Sequence, residues 1–406
     1  MDRNITPAKD APRVSPYLRY FLAPAPARSR GGVFLRCCRK LHRVFRTGVW
    51  TVLLGIPSIV VLLSYATLLC FARRRRTNHT QLLCLFRHFF SCEAYTCSPF
   101  FMYVNAYLHT SCAQFMRSLS PIDQPSVELG AGDGSFSEAA LAGTHLSILS
   151  SVVPSDAVHL QKRAIAHQVA IVDAEYLPFG GESIRFIFMI DGLYHVANQE
   201  QAIQELARVL APGGTVAFNY PVEDFFRRCF PLQRLFASVR LESLRRRDLD
   251  RLKHQHFVDE LFSPSALRGL LAENGLEVIG GCPFASGRAM RLAYLLYWLG
   301  RHAEGRILDS VVRLRVVRKV LDTLRDEVFY PLLMRDSEDC RETGGTYVWW
   351  IARKRGETGK EVGPLTYVCP ICKRGFVGGA YSCSACGRTF PVADDTPIFL
   401  VHGHER

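Results

Sequence analysis

The chain has 406 residues, 48% of them hydrophobic, and a formal charge of +13 at pH 7. That length and apolar content exclude a wholly disordered or fibrous chain and leave room for two or more folded units. The clustered basic excess points to an anionic partner, a lipid surface or nucleic acid. Of the 14 cysteines only four have metal-ligand spacing, which favours buried free thiols in a reducing compartment over a disulfide framework.

Residues 1–47 read as a disordered basic arm; over residues 1–32 they are rich in Pro, Ala and Arg and show no periodicity. They lack the early apolar core and cleavage site of a signal peptide. Residues 48–72 are uncharged, long enough to span a bilayer, and flanked by RCCRKLHRVFR and by Arg73–Arg76. The expectation is a transmembrane segment, or a re-entrant one given Pro57 beside Gly55 and Ser58; basic residues on both flanks leave the topology open. Cys37 and Cys38 beside it are open to lipidation. Residues 77–118 are apolar and aromatic and are expected either at an interface or covering the domain that follows. Cys84, Cys92, Cys97 and Cys112 with His79, His88 and His109 have no tight ligand spacing and are read as ordinary burial.

From Ser126 strands and helices alternate. SVELGAGDGSF carries a strand into a glycine-rich turn and a helix. Gly130, Gly132 and Gly134 allow positive φ and a close approach of backbone to a ligand. Further strands are expected near 145–153, at VAIVDA ending on Asp173, at 184–191, at 215–220 and at LEVIGG, with a last one at 345–353. Helices are expected over roughly 155–167, from Gln199 to Leu210, through much of 223–260, and from Ser263 to Asn274. The basic segment 284–338, with RLAYLLYWLG and VVRLRVVRKVLDTL, reads as an insertion before the last strand. It is expected as a helix in a membrane interface or as a helical cap on the domain. Such alternation implies an α/β fold with a mostly parallel sheet, whose ligands bind at the carboxyl ends of the strands.

The stretch from about 120 to 282 resembles the class I S-adenosylmethionine-dependent methyltransferases of the ubiquinone-methyltransferase-like group (type 11). VELGAGDGSF, DAEYLPF, LYHV, ELARVLAPGG and HQHFVDELFSPSALRGLLAENGLEV stand in the family's order and spacing. The resemblance implies a doubly wound, mostly parallel seven-stranded Rossmann-like sheet in a domain over 120–356. It implies that Gly130, Ala131, Gly132 and Gly134 pass close to the methionine part of S-adenosylmethionine. Glu128 would face its ammonium group, and Asp173 with the Ala174 N–H its adenine. Two positions depart from the family: Val153 stands where an acidic residue chelates the ribose, and Ile184-Arg185 where Phe-Asp opens strand four. His195 and Asp191, just past strand four, are the expected catalytic base and its orienter; Tyr194 and Tyr220 are further pocket candidates.

Cys369-Pro-Ile-Cys372 and Cys383-Ser-Ala-Cys386 are two C-x-x-C knuckles, the spacing of a closed structural zinc site. Residues 365–402 resemble the zinc ribbon fused to, or partnered with, methyltransferases of this group, although that ribbon usually precedes the enzyme and has glycine where Asp395 stands. The expected protein is a membrane-associated methyltransferase with its catalytic domain facing the cytoplasm. Its expected partners are a lipid surface and a quinone-like or lipid-linked small molecule. RNA or protein methylation, and a membrane scaffold with an impaired pocket, are the competing expectations.

Overall fold

The computed structural model describes residues 80–91, 102–141, 143–303, 315–338, 340, 344–356, 362–363, 365–376 and 381–401. Two helices come first, α1 (Thr80–Ser91) and α2 (Met102–Ser118). The alternation follows: β1 (Ser126–Glu128), α3 (Ser135–Ala140), β2 (Leu146–Ser151), α4 (Ala157–Arg163), β3 (Ala166–Val172), β4 (Ile184–Met189), α5 (Gln199–Val209) and β5 (Leu210–Pro221). Next come α6 (Phe225–Cys229), α7 (Pro231–Ser238), α8 (Glu242–Gln255), α9 (Pro264–Glu273), β6 (Leu276–Ser286), α10 (Gly287–Ala303), α11 (Arg315–Leu324), α12 (Tyr330–Glu338) and β7 (Gly345–Lys354). The cysteine-rich tail adds β8 (Val392–Ala393) and β9 (Thr396–Phe399).

The sheet has nine strands in the order β6-β7-β5-β4-β1-β2-β3-β9-β8. Pairing is parallel from β5 through β4, β1 and β2 to β3, with Val127 opposite both Ile148 and Ile187. Strand β7 runs antiparallel between β5 and β6. The central strands carry near-continuous apolar runs such as Ile184–Met189 because helices bury both faces. The expected count of seven strands is corrected to nine. Strand β9 of the tail pairs parallel with β3, Ile171 opposite Ile398 and Val172 opposite Phe399, and β8 pairs with β9.

Local signals set the helix starts. Ser263 Oγ accepts from the Ala266 N–H at 3.2 Å with Pro264 in the first turn of α9, and Asn198 Oδ1 accepts from the Gln201 N–H at 3.0 Å at the start of α5. The helix expected over 155–167 is shorter. A 3-10 turn (Pro154–Asp156) leads into α4, and Ala164 turns left-handed with φ 52°. The chain then joins β3 at once, because Ala166 pairs with Leu146 and the sheet overrides helical propensity there.

Among the described residues no helix is long and apolar enough to cross a membrane. That finding overturns the expected membrane-associated localisation with a cytoplasm-facing catalytic domain. The segment 48–72, the arm 1–47 with Cys37 and Cys38, and Cys92, Cys97 and His79 lie outside the described residues. Within 284–338, α10 and α12 bury Met290, Ala293, Tyr294, Leu333 and Met334 in the core. Helix α2 is likewise a wall of the domain: it packs against α1, α10, α12 and β6.

Candidate functional site

The carboxyl ends of β1, β2, β3 and β4 open into one cavity of about 340 Å³. Its first part is built by the glycine turn. Gly130, Gly132 and Gly134 have φ of 79°, 57° and 76°. A Cβ placed on Gly130 or Gly132 meets no atom within 4 Å, so these two leave backbone facing open space. Gly134 differs: its Cβ would lie 3.1 Å from side-chain atoms of Leu160 and Arg163, so it permits α4 to pack under the turn and does not line the cavity. Ala131 lines it, its N–H donating to the Ser150 carbonyl at 2.7 Å.

Glu128 ends β1 on the cavity floor with 1% of its surface exposed. Burial pushes its carboxyl up to about 8, and the hydrogen bond from the Ser137 hydroxyl opposes that rise. A buried carboxyl with one hydroxyl donor suits a cationic ligand group, which would restore the charged form. Asp173 and Ala174 also line the cavity. Asp173 Oδ1 accepts from the Glu175 N–H at 2.9 Å, so it caps its own turn while facing the ligand space. The turn is clamped from α5. Glu205 Oε2 accepts from the Leu177 N–H at 2.8 Å, and Arg208 donates to the Phe179 and Leu177 carbonyls at 2.8 and 3.0 Å. Glu175, which the sequence did not single out, lines the same space, and burial raises its carboxyl to about 7.

At the end of β2 the cavity is lined by Ser151 and Val152, not by Val153, which is buried off the cavity. Ser151 Oγ donates to Asp156 Oδ2 at 2.7 Å, so the acid three residues beyond Val153 reaches back to the strand end. The end of β2 thus presents to the cavity a serine whose hydroxyl is held by a carboxylate. The donor set fits S-adenosylmethionine: a buried acid for an ammonium, open glycine backbone for the chain, hydroxyl and carboxylate groups near the second strand, and an acid at the third.

Beyond β4 the cavity widens into an aromatic chamber lined by Phe225, Phe226, Tyr294, Tyr347 and Tyr194, with Leu108 and His109 from α2. Asp191 lines the same cavity in a left-handed conformation, φ 49°. A non-glycine residue held there marks backbone strain that the surroundings must support. Asn219 supports it twice, its Oδ1 accepting from the Asp191 N–H and its Nδ2 donating to Asp191 Oδ1, each at 2.6 Å. Tyr194 Oη donates to the same oxygen at 3.1 Å. Burial pushes the Asp191 carboxyl up, but hydrogen bonds from His109, Asn219 and Tyr194 outweigh it and hold the group below its ordinary value.

The imidazole paired with Asp191 is His109, its Nε2 3.4 Å from Asp191 Oδ2, and not the expected His195. His195 lines the cavity too, with Nδ1 3.1 Å from the Phe257 carbonyl. Burial lowers its pKa, partly offset by that carbonyl and by the Asp191 charge. Sequence reads His109 as ordinary burial, because nothing local in the apolar stretch 77–118 ties it to a strand end so far along the chain. Tyr220 is not a pocket residue: its hydroxyl bridges Gln199 Oε1 at 2.7 Å and the Phe262 N–H at 3.0 Å.

Cys369, Cys372, Cys383 and Cys386 bring their sulfurs within 4.8 Å of one another. Separations of 3.6 Å (Cys369–Cys386) and 3.3 Å (Cys372–Cys383) approach the roughly 3.8 Å edge of a tetrahedron with metal–sulfur bonds of about 2.3 Å. Four thiolates with no open position suit a structural zinc ion.

A family model described as a methyltransferase domain matches residues 104–280. Demethylmenaquinone methyltransferase of Clavibacter sepedonicus is 28% identical over 124 residues, 29% of this chain and 50% of that protein. Methyltransferase GfsG of Streptomyces halstedii is 30% identical over 79 residues, 20% of this chain and 28% of that protein. The chain thus spans half or less of the length of these curated relatives. Among solved structures, a Thermotoga maritima S-adenosylmethionine-dependent methyltransferase is similar over 62% of this chain and 91% of that one, at 18% identity and a TM-score of 0.37. A complex of the Haloferax volcanii Trm112 methyltransferase activator with a putative methyltransferase gives 62% and 92% coverage, 14% identity and a TM-score of 0.38. The family match falls on the segment that supplies most of the cavity's lining. Residues 104–280 are thus similar to a methyltransferase domain.

Proposed function

We propose that the protein transfers a methyl group from S-adenosylmethionine to a small, largely apolar acceptor of the quinone-like class. The observation that carries this reading is the single cavity running from Glu128, Gly130, Gly132 and Asp173 into the chamber of Phe225, Phe226, Tyr294 and Tyr347. The cofactor supplies an electrophilic methyl group on a sulfonium. The chain's own residues bind, align and deprotonate. In this reading Glu128 pairs with the ammonium group, Asp173 and Ala174 hold the adenine, and Ser151 with Asp156 takes the ribose side. Asp191 orients His109, which removes the acceptor's proton, and His195 offers its second nitrogen to the acceptor. A zinc ion on the four clustered thiolates holds the tail.

The acceptor is read from the walls. Aromatic rings and aliphatic side chains favour a flat apolar body, and the few polar groups stand where a hydroxyl would meet them. The menaquinone-type relative agrees with that chemistry. Calorimetric titration of S-adenosylmethionine into the zinc-loaded full chain, with Asp173→Ala beside it, tests the reading. Micromolar binding that the substitution weakens is expected; a folded wild type that takes up no cofactor ends it.

A further inference from the structure

The arginines of the helices after β5 have no role in the methyl-transfer reading, yet three of these helices bring arginine residues to one hollow. A cavity of about 390 Å³ is lined by Arg227 and Arg228 of α6, Arg234 and Ala237 of α7, and Arg291 of α10. Gathering four like charges around a small space is unfavourable unless counter-charge is supplied. The protein supplies part of it. Asp224 Oδ1 lies 2.7 Å from Arg228 Nε, and its Oδ2 lies 3.5 Å from Arg227 Nη2. Arg291 Nη1 donates to the Arg228 carbonyl at 3.0 Å, which ties α10 to the end of α6. No carboxylate lines the hollow itself. Asp224 stands behind it and is shared between two of the four guanidinium groups.

We propose that this hollow is an oxyanion site for a small ligand bearing a phosphate or diphosphate group. The planar, forked guanidinium matches phosphate oxygens two at a time, and Arg227, Arg228 and Arg234 present more donors than the one shared carboxylate accepts. The four arginines gather around one open hollow instead of forming a stripe along the surface, which favours a small anion over a polyanion. Its position is also informative. The same α6 gives Phe225 and Phe226 to the acceptor chamber, and the same α10 gives it Tyr294. A third cavity, lined by Asp224, Arg227, Arg228, Gln233 and Arg245, shares Phe226 with the chamber and the two α6 arginines with the hollow. A phosphate bound among the arginines braces two of the chamber's walls. The site stands on its own geometry and does not depend on the methyl-transfer reading.

The test is calorimetric titration of inorganic pyrophosphate, inorganic phosphate and sulfate into the full chain at low and physiological salt. Arg227→Gln and Arg234→Gln are compared with Arg388→Gln in the distant tail. Arg227 and Arg234 are exposed, so their loss is expected to leave the fold intact, which thermal melting checks. Pyrophosphate is expected to bind best, and each substitution in the hollow to weaken it about tenfold while Arg388→Gln does not. Arg234→Lys is expected to weaken pyrophosphate as well, because it keeps the charge and loses the fork. No pyrophosphate binding by a folded wild type overturns the proposal. So does binding that ignores Arg227→Gln and Arg234→Gln, or equal binding of sulfate and pyrophosphate. Tight binding of a short oligonucleotide by a chain that ignores pyrophosphate reassigns the patch to nucleic acid and overturns it too.

Discussion

Glu128 shows how a single buried group sets a pH dependence. Burial raises its carboxyl from an ordinary 4.5 to about 8, against the Ser137 hydroxyl. Between those values the folded chain holds a proton that the unfolded chain has released, so stability falls as pH rises through the window. The full effect is on the order of 5 kcal/mol. Glu128→Gln is expected to flatten that fall, measured as the difference between urea unfolding at pH 5 and pH 8 in the two proteins. An unchanged slope would place the charge elsewhere. Binding of a cationic group beside Glu128 should lower its pKa and release a proton, visible as a dependence of the binding heat on the buffer.

Asp191 and His109 carry the second residue-scale expectation. Asp191→Asn keeps the shape and removes the charge that His109 faces at 3.4 Å. Transfer of labelled methyl to acceptors in a small-molecule extract should drop about a hundredfold or more in Asp191→Asn and in His109→Gln. Cofactor affinity should stay within about threefold, since neither residue belongs to the glycine turn or the third-strand acid. A larger loss in His195→Gln than in His109→Gln would return the base to His195.

At the scale of elements, the tail holds β3 and the turn that follows Asp173. Strand β9 lies along β3, whose end becomes Asp173. The Val368 N–H donates to the Pro178 carbonyl at 2.8 Å, and Lys373, next to Cys372, pairs with Glu205 at 2.6 Å. Glu205 also receives the Leu177 N–H, so one carboxylate joins the knuckle to the turn that follows Asp173. Removing the metal should therefore do more than loosen the tail. Chelation, or Cys386→Ser, is expected to lower the melting temperature and weaken S-adenosylmethionine about tenfold or more. Lys373→Met should weaken the cofactor while leaving the metal bound, which separates the contact from the ion. A chelated chain with unaltered cofactor affinity would break the link.

Across the whole molecule, the sequence-remote helices and the sheet share one core. Trp349 of β7 has 1% of its surface exposed and stacks on Phe115 of α2 at 4.2 Å between ring centres. It thereby joins the first described helices to the last main strand. Trp349→Ala is expected to cost about 3–5 kcal/mol in chemical unfolding. Trp349→Phe should cost less, because the buried indole N–H has no hydrogen-bond partner among the described residues. Strand β9 also covers an edge. Without the tail, β3 would present unpaired backbone groups, and a chain ended at Gly356 should associate in light scattering where the full chain does not.

The sequence alone determined the elements whose signals are local. The run from Ser126 to Phe136 needs glycine at successive positive-φ positions, Ser263-Pro264 starts a helix, and two C-x-x-C knuckles bring four thiolates together whatever lies between. It also placed Glu128, Asp173 and Asp191 at strand ends, where a parallel sheet opens to ligands. Only the tertiary structure decided which groups meet. His109 reaches Asp191 because α2 folds back over the sheet, Asp156 reaches Ser151 through a turn, and the tail's last strand finds β3. The four arginines converge because three helices pack around one space. None of these pairings leaves a periodic trace in the chain. Each is a contact set by packing or by a turn, and one-dimensional patterning carries the faces of elements but not their partners.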